Sequence, residues 1–257
     1  MRKIIPLILA VAVLLSIGFT SAAAHATEVG STNVTAEYIP GAQGGQMISV
    51  EIAWEGMDFT YNGASENVWD ADKHQYIPGT AAGWAKSDAY IAITNHSNVM
   101  IRAEITYAGN PEFKDMGMAF TDINPFVGSA ETQDEGEGKE CTIMIRAIPT
   151  GSLPPDTSAD TKVGEIKVTV MPEEDYQNAV GAVRDALAFM PVNTDTLSRQ
   201  DVCFANEAAK TTVDVCLQTA SNAIHSDTTS NAEKNFALNE LLSTYYSVLH
   251  FPQDFSE

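Results

Sequence analysis

The 257-residue sequence is poor in basic residues, in cysteine and in long apolar segments. It has 14 Lys and Arg against 34 Asp and Glu, which gives a formal charge of −20. Nucleic-acid binding depends on basic patches that neutralise phosphates, and no run of Lys or Arg occurs in the chain. The composition therefore predicts no nucleic-acid partner, and the same charge disfavours anionic membrane surfaces.

Cysteine is scarce as well. The three cysteines, Cys141, Cys203 and Cys216, are too few for the disulfide framework that supports many small secreted domains. If Cys203 and Cys216 lay on one continuous helix, about 20 Å would separate them, whereas a disulfide needs Cα atoms within about 7 Å. The sequence leaves open whether any pair of cysteines is bonded.

Familiar catalytic motifs are also missing. HExxH, GxSxG, SxxK and Walker-type glycine loops do not occur. The adjacent His96 and Ser97 lie in the polar stretch 95-NHSN-98 between two apolar runs, where Asn and Ser favour a turn. Adjacent residues of a tight turn rarely point at each other as a catalytic pair must. We therefore predict a turn, in which Asp-Gly could replace His96 and Ser97. We predict no enzymatic activity for the protein.

A long apolar segment occurs at the N-terminus. Two basic residues precede a nearly all-apolar stretch from Ile4 to Phe19, and 24-AHA-26 has the small-x-small pattern that a signal peptidase cleaves. Residues 1–26 are therefore predicted to be a signal peptide, so that the protein is secreted or associated with the cell surface. No transmembrane segment is expected after cleavage. If the segment stays uncleaved, it anchors the protein by its N-terminus.

Residues 27–171 are predicted to be β-structure. Apolar residues alternate with polar ones in several short runs, and this period of two marks half-buried strands. The runs are 33-NVTAEY-38, 48-ISVEIAW-54, 57-MDFTYN-62, 91-IAI-93, 99-VMIRAEITY-107, 116-MGMAF-120, 141-CTIMIRAI-148 and 163-VGEIKVTV-170. No helical stretch separates them, so the prediction is an antiparallel β-sandwich of immunoglobulin-like or jelly-roll-like form.

Residues 172–257 are predicted to form three helices. Apolar residues recur at helical spacing, and the patterns 198-SRQD-201 and 230-SNAE-233 resemble capping boxes at the starts of the second and third helices. Phe236 is expected on the apolar face of the third helix. The helices form a small bundle or dock on the β-domain, and the complete set of strands predicts that residues 27–171 fold without them.

All three tryptophans lie between residues 54 and 84. Trp54 shares the apolar face of its predicted strand and is expected in the core. Trp69 and Trp84 lie with Tyr76 in a loop-rich stretch, where exposed aromatic rings would stack sugars. Trp69, Tyr76 and Trp84 are therefore candidate ligand-binding residues, with a polysaccharide or a surface protein as the partner. The alternative is that these rings pack the loop.

Asp70 and Asp72, followed by His74, resemble the start of a calcium loop. The glycine and the final glutamate of an EF-hand are missing from the residues that follow. No cofactor is predicted, except that Ca²⁺ at Asp70 and Asp72 is an alternative to a solvated turn. The acidic stretch at 131–140 is a second candidate of the same kind.

The strand pair I-x-I-T-N-x-S-N-x-x-I-x-A-E-I-x-Y at 91–107 resembles the strand–turn–strand of immunoglobulin-like surface proteins and of TasA/camelysin-like secreted proteins of Gram-positive Firmicutes. The pattern from 50-VEIAW-54 through Trp69 and Trp84 is similar to exported proteins of anaerobic Firmicutes, and the alanine-spaced tail resembles their helical spacer modules. The resemblance implies an extracellular structural or binding module. The alternatives are a self-assembling subunit of a TasA-like fibre and a cryptic hydrolase.

Overall fold

The computed structural model describes residues 47–85, 89–130, 140–155, 157–158 and 160–252. The predicted signal peptide (1–26), the predicted strand at 33–38 and residues 131–139 of the acidic stretch lie outside the described residues. Within them the fold is mainly β, with antiparallel sheets and three helices near the C-terminus. Among these helices, none has the length and apolar composition that crossing a membrane requires.

The described residues contain thirteen strands, which form two larger sheets and three two-stranded pairs. The strands are β1 (Val50–Glu55), β2 (Tyr61–Asn62), β3 (Val68–Asp70), β4 (Gln75–Ile77), β5 (Gly83–Trp84), β6 (Tyr90–Asn95), β7 (Ile101–Gly109), β8 (Met116–Phe120), β9 (Phe126–Val127), β10 (Cys141–Gly151), β11 (Gly164–Pro172), β12 (Cys203–Phe204) and β13 (Leu249–His250). One sheet has the order β1-β6-β10-β8 and the other β11-β7-β9. The pairs β2-β5, β3-β4 and β12-β13 are separate, and the strands of each larger sheet in the described residues form an open order.

Both larger sheets bury alternate residues, as the period of two in the sequence predicts. In the first sheet, Ile91 and Ile93 of β6 are fully buried and lie opposite the buried Ile145 and Ile143 of β10. In the second sheet, Ile105 of β7 is buried while its chain neighbours on either side are exposed. The apolar side chains on the buried faces therefore supply the core of the β-region.

The alternation predicts the main strands closely. Strand β8 covers the predicted residues 116–120, and β10 and β11 extend the predicted runs at their C-terminal ends. The predicted run at 57–62 is an exception, because only its last two residues form a strand. The sequence also does not predict the hairpin of β3 and β4, which lies in the stretch that it assigns to a loop.

Three helices follow the main strands: α1 (Tyr176–Phe189), α2 (Glu207–His225) and α3 (Asn231–Ser247). The capping box predicted for the third helix is confirmed. The Ser230 side chain accepts a bond from the backbone N–H of Glu233, and the Glu233 carboxylate accepts one from the backbone N–H of Ser230 at 2.8 Å. These two bonds satisfy backbone donors that the first turn of a helix leaves unpaired.

The predicted start of the second helix is wrong. Ser198 and Asp201 close a turn, in which the backbone N–H of Ser198 donates to Oδ2 of Asp201 at 2.7 Å. Helix α2 begins only at Glu207. The intervening residues Cys203–Phe204 pair with β13, so a long-range strand pairing overrides the local helical pattern.

The later start of α2 also places Cys203 outside this helix. Cys203 lies in β12 and Cys216 in α2, so the two are not on one helix. All three cysteines, including Cys141 in β10, are free thiols. Burial raises the pKa of Cys141 to about 11, so its thiol stays protonated and unreactive at neutral pH.

The helices and the sheets share one apolar core. Buried residues of both form a single hydrophobic cluster, and α3 packs against β9 and β10. The hydroxyl of Tyr246 in α3 donates to Oδ2 of Asp122 at 3.0 Å and accepts a bond from the N–H of Phe126 at 3.0 Å. The predicted place of Phe236 on the apolar face of α3 is wrong, because this side chain is exposed. The strands before residue 171 and the helices after it therefore pack into one continuous apolar core.

Candidate functional site

The polar stretch between β6 and β7 is a turn that joins strands of the two larger sheets, so the hairpin expected from a four-residue loop is not formed, and two of its side chains are buried. Asn95 and Ser97 have no solvent exposure. Nδ2 of Asn95 donates to the carbonyl oxygens of Val99 at 2.9 Å and of Gly128 at 2.8 Å. Oγ of Ser97 accepts a bond from the N–H of Ser49 at 2.9 Å. These bonds tie the turn to the start of β1 and the end of β9, so both side chains are structural.

His96 of the same turn lies between two acidic side chains. Its Nδ1 is 3.2 Å from a carboxylate oxygen of Glu140, and its Nε2 is 3.7 Å from one of Glu51. The neighbouring Ser97 hydroxyl is engaged with the main chain of Ser49. His96 and Ser97 therefore do not form the hydrogen-bonded pair that a nucleophilic mechanism requires.

Trp69 and Tyr76 come together on the hairpin of β3 and β4. They lie directly opposite each other in the ladder, and their ring centroids are 5.1 Å apart with planes inclined at 64°. Trp69 is 50% exposed and Tyr76 is 65% exposed. Two of the three predicted ligand-binding residues therefore form one exposed aromatic pair.

The carboxylate of Asp70 closes the turn of this hairpin. Its Oδ1 accepts bonds from the backbone N–H groups of Asp72 and Lys73, each at 3.1 Å, and its Oδ2 lies 3.4 Å from Nζ of Lys73. Such Asx-type bonding is a structural role for an aspartate in a turn. Within the part of the chain that the structure describes, no group of three or more His, Cys, Asp or Glu side chains could hold a metal ion. The Ca²⁺ hypothesis for Asp70 and Asp72 gains no further support.

Trp84 belongs to a different strand pair, that of β2 and β5. It lies opposite Tyr61 in the ladder, with ring centroids 5.0 Å apart and planes inclined at 70°. Its indole N–H donates to the carbonyl oxygen of Gly151 at 3.0 Å, and its own carbonyl oxygen accepts a bond from Arg199 at 3.3 Å. Trp84 is half-buried and held by these contacts, which differ from those of the Trp69–Tyr76 pair.

Trp84 lines a groove of about 1260 Å³. Five aromatic side chains contribute to its walls: Trp54, Phe59, Tyr61, Trp84 and Tyr107. Other apolar lining residues include Met57, Met116, Met118, Leu153 and Ile166. This volume lies above the roughly 300–1,000 Å³ of typical small-molecule pockets.

The groove carries few charges. Within the part of the chain that the structure describes, its charged lining residues are Asp58, Asp160 and Lys162. Hydroxyl groups are more frequent along the lining, where they are supplied by Thr60, Ser152, Thr157, Ser158 and Thr161. Aromatic walls with hydroxyl groups around them offer apolar stacking together with neutral hydrogen bonds.

Tyr107 is held at one wall by the neighbouring strand. Its hydroxyl donates to the carbonyl oxygen of Val163 at 3.0 Å. The ring lies so close to Gly164 of β11 that a Cβ atom at this position would collide with it. Burial raises the pKa of Tyr107, so its hydroxyl remains a neutral donor at physiological pH. A glycine at position 164 is therefore required for this wall of the groove.

Trp54, which the sequence predicts in the core, is half-buried at the groove. Its ring packs against the apolar cluster and also lines the groove. Its Nε1 atom is buried and has no hydrogen-bond partner among the described residues. A buried donor left without a partner costs about 1–3 kcal/mol. A ligand acceptor that reached this indole N–H would offset that cost.

Sequence reasoning identifies only Trp84 among the groove residues as a candidate ligand contact. Tyr61 and Tyr107 fall in predicted strands, and the proline-containing stretch at 149–161 is predicted to be a loop from its composition. These residues meet because β2 pairs with β5 and β7 pairs with β11. No local signal marks them as one site, because the strand pairings join segments far apart in the sequence.

Comparison of the chain with protein-family models, with curated proteins and with solved structures finds no match. The resemblance to immunoglobulin-like and TasA/camelysin-like surface proteins therefore stays a hypothesis.

Proposed function

We propose that this protein is an exported binding module that holds a neutral polysaccharide chain, such as a cell-wall glycan, in the aromatic groove. The observation that carries the proposal is the set of five aromatic side chains that line the groove together with hydroxyl-bearing residues. Sugar rings present apolar C–H faces surrounded by hydroxyl groups. Aromatic faces and neutral hydrogen-bonding groups complement both features.

The charge of the chain supports a neutral ligand. The formal charge of −20 repels anionic polymers at long range. Among the described residues that line the groove, Asp58 and Asp160 are acidic and Lys162 is basic. Nucleic acids and anionic cell-surface polymers are therefore poorer ligands on electrostatic grounds than uncharged glycans.

The proposal also includes the export of the protein and a sandwich arrangement of its two larger sheets. The signal-peptide pattern of residues 1–26 supports secretion or association with the cell surface. The alternating burial of β6 and β7 supports a sandwich in which the two larger sheets face each other, immunoglobulin-like or jelly-roll-like in form. In such folds the loops at the ends of the sheets are free to build a binding site.

A retention experiment tests the proposal. The chain without residues 1–26 is mixed with insoluble neutral polysaccharides and with isolated cell walls, and the bound fraction is measured against protein concentration. Trp84→Ala should weaken retention on the order of tenfold, because it removes one aromatic wall of the groove. Phe189→Ala is the matched control, since it removes an aromatic side chain that is 84% exposed and does not line the groove.

The folding of each variant is checked first by thermal melting. Trp84 also contacts Tyr61 and Gly151, so its truncation lowers stability, and binding is compared at a temperature at which every variant is folded. Unchanged retention of folded Trp84→Ala would contradict the proposal. Aromatic grooves also bind polyproline helices, so a preference for proline-rich peptides over glycans would contradict it as well.

A subunit of a TasA-like fibre is the second candidate function. Strands β1 and β11 lie at the edges of the two larger sheets. Edge strands present backbone groups to which a strand of another chain can add. Sedimentation at increasing protein concentration distinguishes the two functions. Growing polymers favour the fibre, and a concentration-independent monomer favours the binding module.

A cryptic hydrolase is the third candidate. Asp58 and Asp160 both line the groove, and most glycosidases act through a pair of carboxyl groups. We propose binding without catalysis, and a reducing-end assay checks this. Release of new chain ends that disappears in Asp58→Asn or Asp160→Asn would assign hydrolysis to the groove.

A further inference from the structure

The hairpin of β3 and β4 extends directly from the wall of the groove. Ala64 before the hairpin and Ala82 after it both line the groove. The two chain segments are joined just beyond these residues, where the N–H of Ser65 donates to the carbonyl oxygen of Thr80 at 3.0 Å. We call residues 65–80 the arm. Both chain segments at the base of the arm therefore lead directly into residues of the groove wall.

The base of the arm is tightly bonded. The N–H of Thr80 donates to Oγ of Ser65 at 2.7 Å, and the N–H of Gly79 donates to Oδ1 of Asn67 at 2.8 Å. The Gly79 Cα lies so close to the Ser65 main chain that no Cβ would fit between them. These contacts fix the direction in which the arm leaves the groove wall.

Beyond its base the arm exposes large apolar side chains on both faces. Trp69 and Tyr76 lie opposite each other on one face, and Val68 and Ile77, which are 64% and 46% exposed, lie opposite each other on the other. An isolated two-stranded hairpin is only marginally stable in water, and apolar exposure of this kind marks surfaces that contact a ligand or partner. The aromatic face resembles the groove in chemistry, and residues 65–68 connect it along the chain to Ala64 of the groove wall.

We propose that Trp69 and Tyr76 form a second sugar-stacking platform that extends the groove, so that the ligand is a long polysaccharide chain rather than a short oligosaccharide. This inference rests on the proposed function of the groove. Trp69 lies four residues beyond Ser65, which places the aromatic pair about 13 Å along the arm from its base. A ligand that contacts both surfaces must span this distance. Two linked contacts bind more tightly than either alone, because the first raises the effective concentration for the second.

The test uses two double variants on the same two strands. Trp69→Thr/Tyr76→Thr removes the aromatic face of the arm, and Val68→Thr/Ile77→Thr changes the opposite face as a matched control. Threonine keeps a high strand propensity, and all four side chains are largely exposed, so both variants should fold. Melting curves check this, and the single variant Tyr76→Thr replaces a double variant that does not fold. Affinities are measured for the retained polysaccharide and for a short oligosaccharide of the same sugar.

The aromatic-face variant should lose on the order of tenfold in affinity for the polysaccharide and keep wild-type affinity for the oligosaccharide. The opposite-face variant should keep both affinities. Unchanged binding of the polysaccharide by the aromatic-face variant would overturn the inference. An equal loss of affinity for both ligands, or an equal loss in both double variants, would overturn it as well. So would a result in which the aromatic-face substitutions dissociate a dimer of the protein and leave its affinity for the polysaccharide unchanged. If Trp84→Ala leaves both ligands bound, the groove proposal fails, and this result is distinct from failure of the arm alone.

Discussion

Two buried polar side chains, Asn95 and Ser97, hold the turn between β6 and β7. Asn95 donates to main-chain carbonyl oxygens, and Ser97 accepts from the N–H of Ser49. In the protein interior, polar groups stabilise the fold only while their hydrogen bonds are formed. When one side chain is removed, the buried main-chain group that it contacted loses its partner, and this lowers the stability of the fold. His96, between them in sequence, makes only partly exposed contacts with carboxylates, which contribute little to stability.

We expect Asn95→Ala and Ser97→Ala each to lower the free energy of unfolding by about 1–3 kcal/mol, because buried main-chain groups lose their partners. His96→Ala is the control and should unfold like the wild type. Urea unfolding of the three variants measures the difference. This revises the expectation that Asp-Gly could replace His96 and Ser97 without cost. A Ser97→Ala variant as stable as the wild type would restore that expectation.

At the level of secondary-structure elements, a half-buried carboxylate, that of Asp122, joins α3 to the segment between β8 and β9. Oδ1 of Asp122 in this segment accepts a bond from the N–H of Asn124 at 2.8 Å, and Oδ2 accepts the hydroxyl of Tyr246 at 3.0 Å. Burial raises the pKa of Asp122, while the bonds from Asn124 and Tyr246 oppose the shift without cancelling it. Burial also raises the pKa of Tyr246 well above its usual value, so its hydroxyl remains a donor.

The raised pKa of Asp122 predicts how its contribution depends on pH. Above the usual carboxyl pKa of 3.8, this aspartate ionises in the unfolded chain before it ionises in the folded protein. Its contribution to stability is therefore complete below that pH and is lost as the pH rises through the raised pKa. We expect the wild type to lose stability relative to Asp122→Asn over this window.

Urea unfolding of both proteins at successive pH values measures this change. The difference between them isolates Asp122, because the other titrating groups are common to both chains. A wild type that instead gains stability relative to Asp122→Asn as the pH rises would show that the carboxylate is favoured in the folded state.

At the scale of the whole molecule, one apolar cluster includes residues of the sheets and of all three helices. Leu238, Leu241 and Leu242 of α3 are fully buried, and α3 packs against β10. A fully buried Leu side chain contributes about 1.5–3 kcal/mol relative to an exposed one. The helices are therefore expected to stabilise the β-region.

We expect residues 27–171 without the helices to lose cooperative unfolding, because the strand faces that the helices cover become exposed. Thermal melting, near-UV circular dichroism and binding of an apolar dye compare this fragment with residues 27–257. The alternating strands alone predict the opposite result. A soluble fragment with a sharp melting transition would support that sequence-based prediction and a true domain boundary at residue 171.

Features that depend on neighbouring residues follow from the sequence alone. Period-two alternation predicts β8 and most of β10, because it reports which side of a strand is buried. The capping box at Ser230 predicts the start of α3, because its bonds connect residues three positions apart. The turn at 95–98 follows from the backbone preferences of Asn and Ser.

Features that depend on contacts between distant segments are visible only in the folded chain. Cys203–Phe204 is a strand because β13 provides its partner, although the local pattern predicts a helix. Trp69 lies opposite Tyr76 while Trp84 lies opposite Tyr61, and this separates the predicted ligand-binding residues between an exposed arm and a groove. Such contacts are set by strand register and by packing between segments far apart in sequence, which local periodicity does not encode.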